Sequence, residues 1–338
     1  MKLPSTASTG HGLGAGDQRG ATVPFSPPAL VLLGLLVVVA LLAAVFGLQA
    51  AAQATVNGLV AGSYLGLGAI GLTLVFGVLR LVNFAHGDLL TAGAYFVIGL
   101  SALGLPLLLA VPAAIAGAAA LAYVSELLIW RPMRDARAGV LQLFLTAIGL
   151  ALVIRFSIQF VAGGQARTLG VDILSAVEFG GVRLGLMQAT VLGTGLLTMV
   201  LVGLMLRHTR LGKQMRAYAD NRALAEVSGI ETGRIVVITW LLSGALAGLS
   251  GLLYAGAIGT FNPNFGLTLL LSLFAAAILG GIGNAYGALI GGLVIGLSQE
   301  WATLLFNPRW KPAVGFAILI LTLLVLPQGI FGKARRKS

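Results

Sequence analysis

Ten apolar runs, none carrying more than one charge, follow one another along this chain, at about Ala29–Gly47, 56–79, 87–103, 107–130, 140–161, 188–206, 235–258, 267–280, 286–304 and 312–327. Runs of this length match the roughly 30 Å of a bilayer's hydrocarbon core when helical. Long uncharged apolar runs of this kind mark spanning helices. The expected fold class is therefore an all-α polytopic membrane protein of about ten transmembrane helices. A composition of 58% hydrophobic and 9% charged residues, with mean hydropathy +1.00, agrees with that class and excludes a soluble domain.

The net charge of +11 does not point to nucleic acid, because the basic residues sit in short loops and the tail, where they orient helices. Starting from a cytoplasmic N-terminus, ten spans place Arg80, the Arg131/Arg134/Arg137 loop, residues 207–234 and the tail Lys333/Arg335/Arg336/Lys337 on the cytoplasmic side. Arg309 and Lys311 fall outside and count mildly against this threading. Residues 1–28, rich in Gly, Ser, Thr and Pro, read as a disordered cytoplasmic tail, 29–332 as the transmembrane domain and 333–338 as a basic cytoplasmic tail. Ala52-Gln53-Ala54 resembles a signal-peptidase site, but the run before it has the length of a retained anchor. The absence of cysteine excludes disulfides, thiol chemistry and thiolate metal sites.

Residues 207–234 form a charged island holding six of the 21 basic and three of the ten acidic residues. Their Ala-rich centre, Ala217 to Val227, reads as a short helix. Short turns would suffice to join helices, so a polar helix displayed here suggests a docking surface for a partner. Glycine is the second signal: Gly244, Gly248 and Gly251, and Gly287, Gly291 and Gly292, have the small-residue spacing of close helix contacts.

Three polar loops interrupt the apolar pattern. Asn83-Phe-Ala-His86-Gly-Asp88 brings an amide, an imidazole and a carboxylate to a helix start, where Asn83 or Asp88 can cap free N–H groups. Capping and gating both remain open there, and one His beside one Asp is a weak metal or relay signal. The glycine-rich turn 280–287 lacks the Lys-Ser/Thr ending of a phosphate loop, so nucleotide binding by this chain is rejected. Phe261-Asn-Pro-Asn-Phe265-Gly266 has the chemistry of an outer turn. Glu126, Arg155 and Glu300 lie within about two turns of expected helix ends and read as interfacial anchors. No mid-membrane carboxylate of the kind an ion-coupled carrier needs is evident. An intramembrane enzyme would need paired catalytic groups, which the sequence lacks, so no catalytic and no metal-binding residues are assigned.

The block from Asn57-Gly to Asn83-Phe-Ala-His-Gly-Asp88, the loop Leu211-Gly-Lys to Arg216-Ala-x-Ala with Ala223 and Gly229-Ile230, and Ala277-Ile-Leu-Gly-Gly-Ile-Gly-Asn284 to Gly287-Ala-x-x-Gly291-Gly resemble the permease subunits of branched-chain amino-acid ABC importers. The resemblance covers about residues 55–332 and implies the large ABC-importer permease bundle. It also implies two ABC ATPase subunits that bind ATP, a second, similar or identical permease subunit, and an extracytoplasmic substrate-binding protein. This chain would carry no cofactor and would sit in the bacterial inner membrane with both termini cytoplasmic. By position, the resemblance maps an ATPase-docking coupling helix onto about Ala219 to Gly229, with Arg216, Ala219, Arg222, Ala223, Glu226 and Gly229 as its candidate residues. Asn57, Tyr64, Thr91 and Tyr95 are pathway candidates by helix position, joined by Asn83, His86 and Asp88 as gate candidates. Permeases for urea or short-chain amides look similar and are the alternative, with an ion-coupled secondary transporter behind them.

Overall fold

The computed structural model describes residues 27–332, so the expectations for residues 1–26 of the N-terminal tail and for the basic tail 333–338 lie outside the described residues. The chain runs α1 (Pro27–Phe46), α2 (Leu48–Leu79), α3 (His86–Ala102), α4 (Leu107–Ser125), a π-helical turn (Glu126–Trp130), α5 (Arg131–Asp135), α6 (Val140–Ala162), β1 (Arg167–Thr168), β2 (Ala176–Phe179), β3 (Val182–Gly185), α7 (Leu186–His208), α8 (Arg210–Asp220), α9 (Arg222–Val227), α10 (Thr232–Ile258), β4 (Thr260–Phe261), α11 (Phe265–Gly280), α12 (Ala285–Trp301) and α13 (Lys311–Val325). Every apolar run falls on one of these helices. Six segments are long and apolar enough to cross a membrane: α2, Leu107–Asp135, α6, α7, α10 and Pro308–Val325. Val31–Phe46 and Phe265–Gly280 are shorter apolar helices. α2 begins earlier than its apolar run, separated from α1 by Gly47 alone at φ 90°, so Ala52-Gln53-Ala54 lies inside a helix.

α2 is the axis of the molecule, with 89% of its apolar window buried. Lipid offers helices no hydrophobic reason to associate, so contact rests on van der Waals packing of small residues. Gly58 and Gly62 meet α12 at backbone distance: a Cβ on either would stand 2.8 Å from the Cα of Leu297 or Leu293. α10 packs on α2, α3 and α4, with Gly244 against Ala118 and Ala122. The glycines singled out for close packing lie at such contacts. By contrast α6, α7 and the Pro308–Val325 segment have 11–28% of their windows buried and turn side chains such as Val153, Leu197 and Leu324 outward, as lipid-facing helices do. Two short sheets tie the loops together: β1 pairs antiparallel with β4, Arg167 opposite Phe261, and β2 with β3, Ala176 opposite Gly185.

Gly62→Leu is expected to force α2 and α12 apart and to cost about 2–3 kcal/mol. Gly149→Ala, which meets nothing within 4 Å, should leave stability unchanged. Thermal unfolding of the two purified variants in detergent measures the contrast.

Candidate functional site

The chain leaves α2 through Arg80, which takes a left-handed conformation (φ 56°, ψ 27°), and runs inward over residues 81–85 before α3 begins. α3 therefore starts against the middle of α2: His86 is fully buried and its Nε2 lies 2.9 Å from the carbonyl oxygen of Gly68. A carbonyl only accepts, so the proton is on Nε2, and Nδ1 has no partner among the described residues. Asn83 accepts the N–H of Ala85 through Oδ1 at 3.1 Å, close to its expected capping part. Asp88 does not cap. Its carboxylate takes two hydrogen bonds from Arg155 on α6, Nε to Oδ1 and Nη2 to Oδ2, each at 2.9 Å, with both side chains buried.

This pair corrects two sequence expectations. Arg155 is not a free interfacial anchor, because its side chain is buried and both Nε and Nη2 are taken up by Asp88. The bundle also does hold a buried carboxylate, neutralised within the protein. Glu126 and Glu300 are likewise paired, the first with both terminal nitrogens of Arg134 and the second with Lys311 at 2.5 Å. Isolated charges in an apolar medium are costly, and each has found a counter-ion on a neighbouring segment.

The other pathway candidates form two further groups. Thr91, buried, stands one turn beyond Gly87, whose carbonyl it faces at 3.4 Å. Tyr64 and Tyr95 are joined through Tyr254, which sequence reasoning had not selected, and the two phenylalanines of the 261–266 loop: Tyr64 packs edge-on to Tyr254, Tyr254 stacks on Phe265, Phe265 meets Phe261, and Phe261 meets Tyr95. The two phenylalanines flanking the Asn-Pro-Asn turn were the available signal. Asn57 is apart from both groups, accepting a hydrogen bond from Gln53 at 3.1 Å.

The polar loop folds as two helices rather than the single one expected. Asn221 is extended (φ −155°, ψ 104°) and its side chain accepts the N–H of Leu224, capping α9, while Thr209 caps α8 through the N–H of Gly212. An Asn side chain that competes for backbone donors explains the break. Gly229 ends α9 at φ 80°, and Ile230 N–H returns to Ala225 O, a Schellman closure. Side-chain hydrogen bonds fasten the loop to the bundle. Arg80 Nη2 donates to Ala219 O at 3.2 Å, Arg216 Nη1 donates to Leu206 O, and Thr232 Oγ1 donates to Glu226 Oε1 at 2.9 Å. Arg222 stands over the ring of Tyr218, 5.9 Å from its centroid, and burial pushes the Tyr218 hydroxyl above its ordinary pKa. Ala223 is exposed, beside Leu224 and Val227, which are 64% and 88% exposed. These three residues make an apolar strip on an otherwise polar loop.

Arg155→Met is expected to cost about 3–5 kcal/mol, because Asp88 would be left charged and unpaired in the bundle. Asp88→Leu combined with Arg155→Leu should recover most of that loss. Melting temperatures of single and double variants check the coupling.

Residues 54–323 match the family model described as branched-chain amino acid transport system / permease component. The permease protein LivH of the high-affinity branched-chain amino acid transport system of Salmonella typhimurium (strain LT2) is 32% identical over 295 residues, covering 83% of this chain and 95% of LivH. The corresponding BraD of Pseudomonas aeruginosa is 31% identical over the same length and shares. The ribose import permease RbsC of Escherichia coli (strain K12) is 27% identical over 261 residues, 75% of this chain and 78% of RbsC. Together with its apolar helices, these matches make the protein a multi-pass membrane protein, and the chain belongs to the family of branched-chain amino acid transport system permease components.

Proposed function

We propose that this chain is the membrane-spanning subunit of an ATP-driven importer that carries leucine, isoleucine, valine or related amino acids across the bacterial inner membrane. The relatives' transport names support the substrate class, and the family match supports the permease role. In this reading all ten apolar helices span the bilayer, both termini are cytoplasmic, residues 29–332 are the permease domain, and residues 207–234 lie on the cytoplasmic side. Two ATPase subunits, a second permease subunit and an extracytoplasmic binding protein complete the machine, and ATP is bound by the partners.

The observation that carries the docking role is the exposed strip Ala223, Leu224 and Val227 on a loop that Arg216 and Glu226 fasten to the bundle. Exposed apolar residues on a polar, firmly attached helix suit burial against a partner. Arg216, Arg222 and Glu226 then serve the loop's shape, Ala219 receives Arg80, Gly229 ends the helix, and Ala223 meets the ATPase. Movement of α8 and α9 would pass through Arg80 into residues 81–85 and on to the turn of Asn83, His86 and Asp88, with Thr91 beside it. Asn57, Tyr64 and Tyr95 lie along the same path, nearer the outer side.

Ala223→Glu places a charge in that contact at a cost of several kcal/mol. The variant should insert and purify normally yet lose both the ATPase subunits and leucine uptake, measured by co-purification and radiolabelled transport. Unchanged assembly and uptake would remove the docking role. In this cysteine-free chain, Ser228→Cys should resist an impermeant thiol reagent added to intact cells, and ready labelling would reverse the orientation.

A further inference from the structure

A cavity of about 480 Å³ opens between the first turns of α2, the start of α7, the end of α10 and the β2–β3 hairpin. Its size falls in the range of roughly 300–1,000 Å³ usual for small-molecule sites. One side is polar. Gln53 Nε2 donates to Asn57 Oδ1 at 3.1 Å and to Arg183 O at 2.9 Å, and Arg183 N–H donates back to Gln53 Oε1 at 2.8 Å. These bonds hold the hairpin to α2 through the backbone of residue 183, so its side chain is not needed for closure. The Arg183 guanidinium uses Nη2 on Leu174 O at 3.3 Å and has further N–H donors; the cavity lining contains no carboxylate, and Glu178, opposite Arg183 across the hairpin, is not part of it. Gln188 adds a third carboxamide, whose Oε1 accepts the Gly185 N–H at 3.2 Å and keeps one lone pair free. The remaining wall is apolar, with Leu174 and the flexible thioether of Met187.

One cation, uncharged amide oxygens and an aliphatic wall match one chemistry: a free amino acid with an apolar side chain. Its carboxylate would lie on Arg183, its ammonium on the Asn57 and Gln188 oxygens, and its side chain on Leu174 and Met187. We propose that this vestibule receives the transported amino acid on the outer side and selects for its carboxylate through Arg183. The assignment rests on the transport reading above and adds to it a site and a specificity residue.

The test uses the full chain assembled with its partners and a single cysteine, Leu174→Cys, labelled with an impermeant maleimide. Saturating L-leucine should slow labelling, whereas isoamylamine, which keeps the aliphatic chain and amine but lacks the carboxylate, should not. Phe179→Cys, at the exposed tip of the hairpin and outside the lining, should be indifferent to both. Adding Arg183→Gln should raise the leucine concentration needed for protection by about tenfold or more, as expected for loss of a hydrogen bond to a charged group. An unchanged melting temperature shows that the fold is kept. Labelling indifferent to leucine, protection equal with isoamylamine, or protection unaffected by Arg183→Gln would overturn the assignment. Leucine uptake by cells expressing the complex separates the two levels. Uptake without protection removes the site alone, and protection without uptake removes the transport reading alone.

Discussion

The rest of the structure depends on α2 being enclosed by other helices at backbone distance. In lipid the hydrophobic effect does not distinguish a neighbouring helix from an acyl chain, so enclosure needs contacts that lipid cannot make. Glycines along α2 and α12 supply them, with Gly58 and Gly62 facing the Cα atoms of Leu297 and Leu293. Once α2 is central, its buried carbonyls become usable partners. Ser243 donates to Gly71 O, Ser250 to Tyr64 O, and His86 to Gly68 O. The inward turn at the start of α3 exists because the middle of α2 offers it an acceptor, and Asp88 is buried because that turn carries it inward.

The same geometry accounts for the way charge is managed. Burying a lone carboxylate would be prohibitive, but a bidentate arginine offsets much of the desolvation and fixes orientation. α6 packs against α3, and the Asp88–Arg155 pair joins them where the polar turn lies. At the other end of the chain's traffic, Arg80 links the end of α2 to the carbonyl end of α8. A continuous connection therefore runs from the polar loop to the buried turn through six consecutive residues, Arg80 to Ala85.

Local features were legible in the sequence. The apolar runs became helices because length and lack of charge leave lipid-buried backbone no alternative, and the left-handed end of α9 follows from Gly229 itself. Asn221 was a local signal too, since an Asn before Arg-Ala-Leu can cap a new helix, but the Ala-rich composition around it suggested continuity. What escaped is set by distant residues. Asp88 and Arg155 are 67 positions apart, Gln53 and Arg183 are 130 apart, and the Tyr64-to-Tyr95 aromatic chain draws on four helices and the short strand β4. Helix depth was also invisible, because the start of α3 is fixed by contact with Gly68 rather than by hydropathy. Arg155 therefore read as an anchor until its partner was placed.

In the proposed division of labour, the chain shapes a path and presents a docking loop, while partner ATPases supply the energy. Reconstitution into liposomes tests this division most directly, with leucine accumulation followed after adding ATPase subunits, binding protein and ATP in turn. Accumulation should require all three and should be insensitive to collapse of proton and sodium gradients. Leucine accumulation by the permease alone, driven by an imposed ion gradient, would contradict it.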